Sequence, residues 1–188
     1  MPSLRFATVR DLYEAFPTAQ EDIGLDPSDE GSLEFLRAQI EKEMWDEAVT
    51  YCAYLLPRRE AVWWGCQSLR KISPQNTPKD LIALDVAEAW VRDPDEQHRR
   101  AALDIGNDGD KRSPPVWMAL AAGWSGGNVV KPELGNVPAA PHSTARAVRA
   151  GLLIARCRVA PAQTPEMFKA CMENGIELAT MAEGGNVR

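Results

Sequence analysis

The sequence predicts an all-α fold, a compact bundle of about seven to nine short helices, on three observations. Four times a Ser, Thr or Asp stands directly before a proline at the head of an apolar run: Thr77-Pro78, Asp93-Pro94, Ser113-Pro114 and Thr164-Pro165. The short side-chain oxygen accepts from free amides of the first turn, and proline at the first helical position gives up a donor that has no partner there. Apolar residues then recur at helical spacing, and glycines close the runs, as at Gly126-Gly127. With 188 residues, 45% of them hydrophobic, the chain 1–188 suits a single domain that folds without disulfide or metal staples.

Taken in order, Thr8 caps a first helix to Phe16, with Asp11 three residues on and Val9, Leu12 and Tyr13 sharing a face. It reads as a helix docked on the rest, followed by a polar turn to residue 31. Residues 32–43 and 44–56 read as a helical pair or one bent helix, through Leu36, Ile40, Ala48, Cys52 and Leu55. Pro57 opens the next helix, whose stripe is Val62, Cys66 and Leu69. At about 100° per residue Trp63 and Trp64 both fall outside the centre of that stripe, so at least one ring points elsewhere. Trp63 shares its flank with Arg59, Gln67 and Arg70, a setting for cation–π stacking or a partner surface. A central helix packed on two sides would instead bury both rings.

Residues 78–91 leave only a narrow polar arc at Asp85 and Glu88 and read as mostly buried. Residues 94–105, capped by Asp93, read as an exposed amphipathic helix carrying Glu96, His98, Arg99 and Arg100. Ser113 opens a helix rich in small residues that contains Trp117 and ends near Trp124 at the glycine pair. Residues 126–143 hold three prolines and neither helical nor strand periodicity, which predicts an extended strap; ordered loops of that length are usually functional or tied down. A helix from Ser143 to Cys157 follows, and Thr164 caps a last helix or pair through Ala182 before the chain closes on Glu183, Gly184, Gly185 and Asn186. Recurrent proline-led starts and the likeness of residues 120–128 to 178–186 fit stacked helical hairpins in the manner of an α-solenoid; shared capping chemistry alone gives the same pattern.

Composition excludes more chemistry than it suggests. No apolar run approaches the roughly 18 residues of a membrane span, and the first residues lack the basic-then-apolar pattern of a secretory signal, so a cytoplasmic location is expected. Residues 1–56 carry 4 basic and 12 acidic side chains, a net of −8, whereas residues 131–188 carry 7 and 5, a net of +2. That balance lacks the basic footprint nucleic acid requires, and leaves an acidic N-terminal third that either meets a basic partner or serves solubility. Cys52, Cys66, Cys157 and Cys171 lie in apolar helical runs without CxxC spacing and are expected to be free and buried. His98 and His142 do not pair with other ligands at metal-binding spacing, so no metal is expected. The nucleophile elbow, the phosphate loop and the dinucleotide fingerprint are all missing from the sequence, so neither catalytic residues nor a cofactor are expected. Asp108 and Asp110 around Gly109 have part of a calcium-loop pattern, but Arg112 stands in the run and a solvated turn is expected.

The run Trp117, Ala119, Leu120, Trp124, Ser125, Gly126, Gly127, followed by the proline-rich strap and by His142, Thr144, Ala145 and Arg146, resembles a bacterial family of about 200 residues whose function is unknown. The resemblance covers roughly residues 50–157. It implies a protein from the neighbourhood of type VI secretion genes, near spike-tip and adaptor components, and brings no catalytic residues with it. The expectation is therefore a non-catalytic accessory or adaptor protein that binds a spike, adaptor or effector protein through Arg59, Trp63, Arg70 and the strap with His142. One alternative is a small-ligand domain whose pocket is built from Trp63, Trp64, Trp117 and Trp124. Another is an immunity protein whose acidic third meets a basic toxin.

Overall fold

The computed structural model describes residues 4–73 and 76–181, and within them the chain is all-α. The helices are α1 (Val9–Ala15), α2 (Pro17–Ile23), α3 (Ser32–Glu41), α4 (Trp45–Leu55), α5 (Arg58–Ile72), α6 (Pro78–Arg92), α7 (Glu96–Asp108), α8 (Pro114–Gly123), α9 (Ser143–Arg156) and α10 (Thr164–Met181). The closing residues 182–188, with Ala182 and the second glycine pair, lie outside the described residues.

Local chemistry sets most of these boundaries. Thr8 and Thr77 each form a full capping box, the hydroxyl accepting from the amide of Asp11 or Asp80 and the carboxylate accepting from the cap amide. The other three Xaa-Pro pairs behave differently. Asp93 closes α6, and α7 starts two residues later on Asp95, whose carboxylate accepts from the His98 amide. Ser113 stands at the cap of α8, but its hydroxyl donates to Asp80 across the fold. Thr164 is already helical, and its hydroxyl donates back to the Ala160 carbonyl. The segment after α1 is no simple turn: Pro17 opens α2, which Gly24 ends in a left-handed conformation. Glu43, at φ 55°, separates α3 from α4 as a pair.

Two helices are apolar nearly all round and lie buried, α4 and α8, as their composition dictates. Between them runs α9, which packs on α4, α5 and α8; α6 and α7 cover the other side of α8, and α10 returns to α4 and α5. These long-range returns close the bundle, so the solenoid arrangement, in which each unit touches only its neighbours, is not what forms. The main core takes residues from Val9 to Ala179, and Val9 and Leu12 make α1 part of it instead of a docked addition. A small satellite of Ala83, Val116 and Ala119 lies apart, between α6 and α8. α6 is less buried than its composition predicts: Leu81 and Ile82 are exposed while Glu88 is covered.

Candidate interaction site

Adjacent tryptophans on α5 have opposite surroundings. Trp64 is fully buried, and its indole N–H donates to the Cys171 carbonyl of α10 at 2.8 Å. The helices close tightly there, because a Cβ on Gly175 would stand 2.6 Å from Cys52 Sγ and 3.0 Å from the Trp64 nitrogen. Cys52, Cys66 and Cys171 are buried, and burial pushes all three thiols up; Cys157, expected inside, is exposed just past the end of α9. Trp63 is half-buried in a shallow notch of about 330 Å³ with Arg59, Glu60, Val91, Arg92 and Leu178. Arg59 donates to the Val91 carbonyl at 2.6 Å, so it caps the end of α6 while flanking the ring. Arg70 turns away to α6, where Glu88 accepts from Nε at 2.8 Å and Asp85 from Nη2 at 3.2 Å. Among the described residues the cation–π contacts belong to Arg5, over Phe6 and Phe16.

The remaining candidates lie elsewhere. Trp117 and Trp124 pair edge to face, centroids 6.5 Å apart, and the Trp117 N–H donates to the Lys111 carbonyl at 2.8 Å. His142 occupies the cap position of α9 without a side-chain cap bond. Trp64 sits in the core, Trp63 in its notch and the Trp117–Trp124 pair on α8, so the four rings do not line one pocket. Their closeness in sequence, two adjacent on α5 and two seven residues apart at α8, hid this, because helical phase places each ring separately.

Sequence reasoning missed Arg99. It is 4% exposed, held by Glu96 at 2.6 Å, and donates to the Gly123 carbonyl at 2.6 Å and the Asn128 carbonyl at 3.1 Å. Gly127, at φ 61°, lies against the guanidinium; a Cβ there would sit 3.0 Å from Nη2. Arg100 reaches the Val130 carbonyl at 2.9 Å. The strap is therefore not extended. It folds back through an Asn128–Pro138 bridge, with the Val129 amide on the Val137 carbonyl and the Ala139 amide on the Gly127 carbonyl. Asn128 closes the loop from inside, donating to the Gly135 carbonyl and accepting from the amides of Val130 and Val137. The tip carries Leu134, 75% exposed, and Val137, 48% exposed. The available signal was a glycine-rich helix end whose free carbonyls invite a cation, with arginines one helix earlier.

Part of the acidic N-terminal third is answered from within: among the described residues Glu21, Asp22, Asp29 and Asp46 have ion-pair partners. Arg146 of α9 donates to both oxygens of Asp22, at 2.7 and 3.1 Å, and Tyr54 adds a bond of 2.6 Å. Burial alone would raise the Asp22 carboxyl; those bonds and the nearby charges of Arg146 and Arg149 outweigh it and hold the group below its usual range. Arg156 pairs with Asp46 at 2.7 Å. Asp93, Asp95 and His98 come within 4.8 Å of one another, yet Asp95 already accepts from the His98 amide and ring. That cluster is the start of α7, where the helix dipole opposes a cation.

These features define an all-helical protein whose exposed loop is fixed by a buried arginine. The chain belongs to DUF6931, a family of unknown function, which it matches over residues 35–179. Comparison with curated proteins and with solved structures gives no match. No helix among the described residues is long and apolar enough to cross a membrane.

Proposed function

We propose that this protein is a non-catalytic interaction protein, a cytoplasmic accessory or adaptor of a bacterial type VI secretion apparatus, and that its docking element is the loop 126–142. The observation that carries the reading is the loop itself. Arg99, Arg100 and Asn128 fix its backbone, while Leu134 and Val137 project into solvent. Ordering such a loop has a conformational cost, and exposing two large apolar side chains adds nothing to the core. Both features are useful to a surface that must be rigid before it meets a partner. The secretion context rests on the family resemblance of the tryptophan–glycine run and strap, and the spike, adaptor or effector class of partner comes with it.

The test is affinity capture of the tagged protein from its own host with the secretion genes expressed. The unmodified chain is expected to retain a spike, adaptor or effector protein, and Leu134→Asp with Val137→Asp is expected to lose it while the thermal midpoint stays within about 2 °C. Capture of no secretion component, or equal capture by the double variant, refutes the reading.

A further inference from the structure

At the opposite end of α7 and α8 from the loop lies a cleft of about 940 Å³ between the start of α6, the end of α7 and the start of α8. Its floor is the satellite cluster: Ala83 and Val116 are buried, Ile105 is partly so, and Ile82 stands half-exposed at the edge. Ile82 and Ile105 supply most of the apolar surface that stays uncovered there.

The charges around it are unevenly engaged. Asp80 accepts from the Thr77 amide at 2.9 Å, from the Thr77 hydroxyl at 2.7 Å and from the Ser113 hydroxyl. Asp110 accepts from the Arg112 amide at 2.9 Å and from its guanidinium at 2.8 Å. Lys79 and Arg158, by contrast, have no carboxylate within ion-pair distance among the described residues; Arg158 donates only to the Arg112 carbonyl, though its field reaches Asp80 and Asp110. Asp108 is the one lining carboxylate without a bonded partner there. Among the described residues the lining therefore offers two cations without an ion-pair partner against one carboxylate without a bonded partner.

The geometry points to a binding site for an apolar carboxylate, its hydrocarbon part on Ile82, Ile105 and Val116 and its carboxylate at Lys79 and Arg158. The volume suits a drug-sized ligand or the last residues of a peptide. A free aliphatic acid and the C-terminal residue of a polypeptide share this chemistry. The site is independent of the loop, so its failure would leave the docking proposal intact.

Isoleucine δ1-methyl NMR tests it, with octanoate and octylamine as one pair of probes and Gly-Ser-Gly-Leu as free acid and as amide for the other. Saturable shifts confined to the Ile82 and Ile105 methyls are expected with an acid, at an affinity at least tenfold above that of its amine or amide counterpart. Lys79→Glu with Arg158→Glu, both at exposed positions, is expected to reduce acid binding at least tenfold while the other methyl signals stay in place. Tighter binding of the peptide acid identifies a chain terminus as the source, and tighter binding of octanoate a small acid. Absence of a saturable shift with either acid, or equal shifts with octylamine and the peptide amide, overturns the proposal.

Discussion

Around Trp64, helices α4, α5 and α10 converge on one ring, and a single N–H···O bond satisfies its only polar atom. Around Arg99, one helix holds the end of α8 and a long loop through a fan of polar bonds, with the charge answered by the more exposed Glu96. Both side chains fasten segments that are distant in sequence. The first does so by removing apolar area from water, which is non-directional and large. The second does so by geometry, because a planar guanidinium donates well only to carbonyls placed in its fork. Apolar burial sets whether the bundle forms, and the polar fan sets the shape of one loop on it.

The largest effect that could break this contrast is at Trp64. Trp64→Ala is expected to cost about 3–5 kcal/mol from the lost ring and the cavity left behind, a large part of the stability of an ordinary domain. Urea denaturation should show a lower midpoint and one transition, with all helices lost together. A loss under about 1 kcal/mol would mean that the ring does not organise the core.

Arg99→Met should have a smaller and differently distributed effect. It strands the carbonyls of Gly123 and Asn128, while Glu96, largely exposed, returns to water; a cost of about 2–3 kcal/mol follows. Hydrogen exchange is the discriminating measurement. The amides of Val129, Val137 and Ala139 should lose protection, and those of α4 and α5 should keep it in proportion to global stability. Equal acceleration throughout would make Arg99 another core residue, and the distinction between the two regions would fall.

The two regions were also unequally legible. The helices from α4 to α6 could be read to within a residue or two, because capping and apolar period are local properties of neighbouring residues. Trp64 against Trp63 could be read only as an alternative, since α5 is covered on more than one side and the sequence does not state which neighbours α9 and α10 bring. Arg99 was misread as solvent-facing because its partners are main-chain carbonyls 24 and 29 residues away, which carry no residue-type signal. The strap was misread for the same reason: Asn128 bonds mostly to backbone groups, and its loop has no period to find. The family match, which names no function, adds no site residue to either region.

The smallest expected effect sharpens the contrast from the helix starts. Asp93 and Asp95 both precede the helix that carries Arg99, and the Asp93-Pro94 pair is the better sequence match for a cap. Only Asp95 has its carboxylate on a first-turn amide, at 2.7 Å from the nitrogen of His98. Asp95→Ala should therefore cost about 1 kcal/mol, and Asp93→Ala less than about 0.5 kcal/mol. Because the first turn of α7 holds both Glu96 and Arg99, loosening it should transmit a minor loss of protection to Val137 and Ala139 while the Trp64 neighbourhood is unaffected. The reverse order of the two variants in thermal unfolding would place the start of α7 at Pro94, with Glu96 at its third position and Arg99 moved into its second turn.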